Sequence, residues 1–178
     1  MNVKKDQTKV AEQIEKNEKD QAGQAQFLSF TLGDESYAVD ILSVQEIRGW
    51  EPVSRVPNVP VYEKGVINLR GAIVPIIDLR EKFGMQHQGY SALTVVIILQ
   101  TDHRRTGVVV DAVSDVLDVD ERTIQQTPNF GSAISTEYIT GLISVHDKMV
   151  MLLDVKRLLH LESLEQTNKK LLMDYMSR

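Results

Sequence analysis

Cysteine is absent from the 178 residues. That excludes disulfides, thiolate metal sites and a thiol nucleophile. Long apolar runs are missing too. The longest uninterrupted aliphatic stretch, Val95 to Leu99, is far short of the roughly 20 residues a membrane-spanning helix needs. No apolar run follows the polar start Met-Asn-Val-Lys-Lys-Asp, so no secretory signal is expected and a cytoplasmic location is. Positive charge is in deficit, with 20 Lys+Arg against 25 Asp+Glu and a net charge of −5. Such a balance argues against a general nucleic-acid or anionic-membrane binder, since both require a positive surface. No two glycines are separated by a single residue, which removes the dinucleotide fingerprint, and neither a Gly-x-x-x-x-Gly-Lys loop nor a Gly-x-Ser-x-Gly elbow occurs. The four histidines, His87, His103, His146 and His160, are widely spaced and read as plain surface residues rather than metal ligands or catalysts. No cofactor and no metal are expected.

At 42% hydrophobic the chain can still bury a sizeable core. Its organising stretch is Gly65 to Asp78, Gly-Val-Ile-Asn-Leu-Arg-Gly-Ala-Ile-Val-Pro-Ile-Ile-Asp. Two apolar runs flank Arg70-Gly71, where Gly tolerates a positive φ, so the stretch predicts a β-hairpin. Pro75 cannot donate to a ladder, which predicts an edge strand or a bulge there. The pattern returns from Gly141 to Asp154 at a constant offset of 76, Gly on Gly and Asp on Asp. One unit is used twice.

The polar segment 1–25 reads as a mobile tail. Phe27 to Leu32, a Gly33-Asp34-Glu35 turn and Tyr37 to Val39 predict a first hairpin. Ile41, Leu42, Val44 and Ile47 follow near-helical spacing and predict a short helix capped at Gly49. Pro52, Pro57 and Pro60 make a stiff connection. Downstream, Leu93 to Leu99 and Gly107 to Val110 form a second hairpin, and Asp111-Ala112-Val113-Ser114 echoes Asp40-Ile41-Leu42-Ser43 at an offset of 71. The second copy has five extra residues, expected within 125–135. Ser163 with Gln166 makes a capping box for an amphipathic helix over 161–178. Two hairpin-rich units of about 60 to 70 residues follow from these signals, as small closed barrels that share a core.

Asp78, Asp111 and Asp154 each end an apolar strand. A carboxylate there could bind a metal or accept a phosphoryl group, but each precedes a short helical pattern, and capping is the expected role. Arg70 reads either as a solvated turn residue or as a guanidinium presented to a partner carboxylate. Glu46 and Arg48, placed on the short helix, carry the same two readings. Trp50 reads as a partly covered ring.

The ordered set Phe27 to Ile41, Val44-Gln-Glu-Ile-Arg-Gly, Gly65-Val-Ile-Asn-Leu-Arg-Gly, Ile73-Val-Pro-Ile-Ile-Asp-Leu, Gly107 to Leu117 and Ser135-Thr-Glu-Tyr-Ile-Thr-Gly-Leu resembles the CheW family of chemotaxis coupling proteins over about residues 26–160. The resemblance implies a mainly β fold with two SH3-like five-stranded barrel subdomains around a shared core. It implies a non-catalytic adaptor that joins the histidine kinase CheA, through its regulatory domain, to the cytoplasmic tips of transmembrane chemoreceptors. The expected receptor-binding positions are Val44, Glu46, Gly65, Arg70, Val113 and Val116, and the kinase-binding position is Phe130. A CheW-like coupling part of a larger CheV-type regulator is the alternative. Neither nucleic acid nor direct membrane insertion is implied, only a peripheral association through receptor arrays.

Overall fold

The structure is a computed structural model that describes residues 23–102, 104–128 and 136–159, with Met173, Met176 and Ser177. The tail before Gly23, His103, the loop with Phe130, His160 and the expected Ser163 capping box lie outside the described residues.

The strands are β1 (Gln24–Leu32), β2 (Glu35–Asp40), β3 (Val44–Gly49), β4 (Glu63–Leu69), β5 (Ala72–Asp78), β6 (Val95–Gln100), β7 (Arg105–Val110), β8 (Ala112–Asp120), β9 (Ile139–Val145) and β10 (Lys148–Leu153). They form two five-stranded sheets, ordered β8-β1-β2-β10-β9 and β3-β6-β7-β5-β4. Substituting each strand by its repeat partner converts one order into the other, so the duplication is real. The two units are nevertheless not consecutive in the chain. The hairpin β1–β2 joins three strands of the second half, and β6–β7 joins three strands of the first. Each sheet is thus built from both halves, and neither half can complete a sheet alone.

Each sheet curls toward closure through one extra bridge. Ser54 pairs with Val66 in one, and Gln125 with Leu142 in the other. Both bridges sit beside a glycine at the same place in the repeat. A Cβ on Gly65 would lie 2.1 Å from the Ser54 carbonyl oxygen, and one on Gly141 would lie 2.4 Å from an Ile124 methyl group. Only glycine permits that approach.

The interleaving explains why the strands read as unbroken apolar runs. In β6, Ile97 and Leu99 enter a large cluster shared with Phe30, Tyr37 and Leu153 of the other sheet. Their neighbours Val96 and Ile98 point into a second cluster with Val74, Ile76 and Val109. Ala38, Ile143, Val150 and Leu152 fill the interior of the other sheet. Strands buried on both faces carry apolar residues at every position. An aromatic stack crosses the joint, with Phe83 between Tyr37 at 5.7 Å and Tyr138 at 5.8 Å.

Three expectations need correction. The near-helical spacing after Ile41 gives only a 3-10 turn, Ile41–Ser43, and Val44–Gly49 is strand β3, which carries Glu46 and Arg48. Its alternating half-buried and exposed residues suit a strand paired with β6, and pairing overrides weak helical periodicity. Asp111 caps no helix, because β8 begins at Ala112. Asp78 and Asp154 do cap, accepting from the N–H groups of Glu81 and Arg157. Pro75 lies in an interior strand, between β4 and β7. It is tolerated because β5 pairs with β7 only from Ile76 to Asp78, so no ladder bond needs its missing N–H. The nearby register shift falls on β4, between Glu63 and Gly65.

Candidate functional site

β3 and β8 are the outer strands of the two sheets on the repeat-related side. Val44 at the start of β3 and Val113 near the start of β8 both pack, half-buried, against the shared core. Each thus meets the core that the two sheets share, one from each sheet. Val116, three residues further along β8, is 51% exposed.

Arg70 and Glu46 are in direct contact. The guanidinium donates to the Glu46 carboxylate at 2.6 Å, while Arg48 lies 3.7 Å from its other oxygen. The hydrogen bond from Arg70 lowers the Glu46 pKa below the usual carboxylate range. Arg70 itself remains 70% exposed. It adopts φ 50° and Gly71 φ 87°, the backbone of a tight hairpin turn that matches the twist of its strands. The Asn68 side chain holds the turn by accepting from the Gly71 N–H at 2.8 Å. His146 and Asp147 repeat the same conformation in the other hairpin. The turn geometry is therefore framework, and only the first copy places a guanidinium on it.

Gly65 is different in kind. It is buried, with φ 146°, and its role is to admit the Ser54 carbonyl. Sequence alone did not separate it from the surface positions. Of the seven expected contact residues, Phe130 lies outside the described residues. Glu46 and Arg70 form one pair, Val44 and Val113 meet the common core, and Val116 is an exposed apolar side chain beyond them.

A groove of about 740 Å³ continues from Val44. It lies between the ends of both sheets and is lined by Phe27, Leu42, Gln100 and Thr140 among others. Leu42 is 90% exposed there. Asp102 and Lys156 at its rim are 3.6 Å apart. The repeat-related junction is closed instead. There the Asp111 carboxylate binds Arg80 through two 2.6 Å hydrogen bonds and accepts the Gly33 N–H at 2.7 Å. Burial alone would raise the Asp111 pKa, but the hydrogen bonds from Arg80 and Gly33 outweigh it and hold it low. One junction is locked and its counterpart is open. Leu42 and the Arg80–Asp111 lock were missed in sequence. The echo of Asp40-Ile-Leu-Ser in Asp111-Ala-Val-Ser was the available signal, since it matches Leu42 with Val113.

A CheW-like domain model matches residues 26–163. The chain belongs to the CheW family. It is 50% identical over 139 residues to the chemotaxis protein CheW of Klebsiella aerogenes, covering 78% of this chain and 84% of that one. It is 40% identical to the probable chemotaxis protein CheW of Rhizobium etli, over 76% of this chain and 88% of the other. The crystal structure of the scaffolding protein TtCheW from Thermoanaerobacter tengcongensis superposes with a TM-score of 0.69 at 33% identity, covering 74% of this chain and 89% of that one. A CheV3 protein of Helicobacter pylori is more distant, at 25% identity, and the match covers only 40% of its length. The mainly β fold that the resemblance implied, two five-stranded subdomains around a shared core, is borne out by the two five-stranded sheets and by this structural likeness.

Proposed function

We propose that this CheW-family protein is a non-catalytic adaptor that couples the histidine kinase CheA to the cytoplasmic tips of chemoreceptors. The observation that carries the reading is the open seam. It presents apolar side chains from both sheets, Val44 and the exposed Leu42 on one side and Phe27 of β1 on the other. Glu46, paired with Arg70, lies two residues along β3 from Val44, and Val113 and Val116 on β8 are expected to extend the contact. A helical hairpin docks by laying apolar anchors into such a groove while flanking charges set its register. Each contact is individually modest, and an array gains affinity by engaging many at once. Among the described residues no helix is long and apolar enough to cross a membrane, so association with receptor arrays would run through protein contacts. The kinase contact is assigned to the loop with Phe130.

Reconstitution tests the proposal. Receptor-containing membranes and CheA are mixed with and without the protein, and kinase activity is followed over a range of stoichiometries. Receptor-dependent stimulation is expected, and its absence at every ratio would overturn the assignment.

A further inference from the structure

The seam residues leave one polar cluster unused. Asp78 ends β5 and is almost fully buried, with 4% of its side chain exposed. Glu81 follows on the helical turn Leu79–Lys82, and His87 comes back over both from the connection to β6. Among the described residues, Asp78, Glu81 and His87 are the set whose ligand atoms all lie within 4.8 Å of one another.

The orientation of each group is specific. The protein hydrogen-bonds Glu81 through one oxygen and Asp78 through both. Asp78 Oδ1 accepts the Glu81 N–H at 3.3 Å, and Glu81 Oε2 accepts Lys64 Nζ at 2.5 Å. The other oxygens, Asp78 Oδ2 and Glu81 Oε1, both face His87 Nδ1, at 3.5 and 3.7 Å. Bonds of about 2.0–2.1 Å at tetrahedral angles hold ligand atoms about 3.3 Å apart. The two distances from His87 Nδ1 are thus close to the edges of a metal tetrahedron, and the three atoms lie within 4.8 Å of one another. Hydrogen bonds to the outer oxygens orient both carboxylates as supporting residues do around metal ions. Tyr90 completes one wall. Its hydroxyl donates to Asp78 Oδ2 at 3.2 Å, its ring meets His87 edge-on at 4.9 Å, and its far side packs on Trp50 at 4.0 Å. With the imidazole neutral, two carboxylates and Lys64 leave a net charge of about −1, which favours a cation.

We propose that Asp78 Oδ2, Glu81 Oε1 and His87 Nδ1 bind a divalent transition-metal ion of the zinc class, with a fourth position open to water. The imidazole favours such an ion over calcium or magnesium, which prefer oxygen ligands throughout. Its bond to His87 ties the segment after the helical turn to the end of β5, and through Tyr90 to Trp50.

The test uses the full chain, stripped with a chelator and titrated with Zn²⁺ by calorimetry and thermal unfolding. One ion per chain is expected, with a rise in Tm. His87→Ala is expected to weaken binding at least 10-fold and abolish the Tm rise, and Glu81→Gln to weaken it in the same direction. His146→Ala, in the opposite hairpin turn, is the control and is expected to bind as the parent does. Co²⁺ substitution should give the intense visible bands of four-coordination in the parent and lose them in His87→Ala. Zinc affinity unchanged by His87→Ala, or no stoichiometric binding by the parent, would overturn the proposal.

Discussion

Arg80 grips Asp111 through two parallel hydrogen bonds of 2.6 Å, and that one carboxylate also receives the Gly33 N–H. Arg80 follows β5 in one sheet, while Gly33 lies in the β1–β2 turn of the other. The pair therefore fastens the two sheets at the junction opposite the groove. Only 12% of the Arg80 side chain is exposed. Removing one partner leaves the other charge poorly solvated, a loss of about 2 kcal/mol. Arg80→Ala and Asp111→Asn should each lower the urea midpoint by an amount in that range. The double variant should lose less than the sum. Additive losses would show that the pair does not couple the sheets.

The same contact sets a pH dependence. The Asp111 pKa lies below the ordinary aspartate value of about 3.9, so the unfolded chain takes up the proton first. The stability it contributes is complete above about pH 4 and is lost as pH falls through the lower folded value. Urea unfolding at pH 7 should separate the parent from Asp111→Asn, and the gap should narrow at about pH 3. A gap of constant size would rule out the ionised carboxylate as its source.

Arg70 allows stability and recognition to be separated. It occupies the left-handed region, where a non-glycine residue carries a cost on the order of 1 kcal/mol. Arg70→Gly should relieve that cost and stabilise the fold by about 0.5–1 kcal/mol, while removing the guanidinium beside Glu46. Receptor-tip binding, measured by co-sedimentation with receptor-containing membranes, should nevertheless weaken several-fold, and by a similar factor in Arg70→Ala. Full affinity in both variants would remove Arg70 from the interface.

Much of this was legible in the chain. Val66 to Leu69 and Ala72 to Ile77 announced their hairpin, because strand composition and turn chemistry agreed locally. The repeat of Gly65–Asp78 in Gly141–Asp154 announced the duplication. What the sequence did not reveal was the exchange of hairpins between halves, since nothing in β1 or β6 records which strands they will meet. Val44–Gly49 was misread for a related reason. Its strand state comes from pairing with Val95–Leu99, about 50 residues away, rather than from its own spacing. The Glu46–Arg70 contact joined two residues that had been singled out separately. His87 is far from the other histidines along the chain, and its neighbours Asp78, Glu81 and Tyr90 are supplied by the fold.

Gly65 and Gly71 both have positive φ, and they should respond very differently to alanine. Gly71 has open space around its Cα, so Gly71→Ala meets only the backbone preference, about 1 kcal/mol. At Gly65 a methyl group would sit 2.1 Å from the Ser54 carbonyl oxygen, a rigid backbone atom. The strand must move away, breaking the Ser54–Val66 bridge with its hydrogen bonds of 2.8 and 3.0 Å. A loss of roughly 3 kcal/mol or more follows, from backbone strain and lost hydrogen bonds together. Any coupling defect in Gly65→Ala should then track its unfolding, and lowering the assay temperature should rescue it. A fully folded Gly65→Ala protein that fails to bind receptor would instead place this buried glycine at the contact surface.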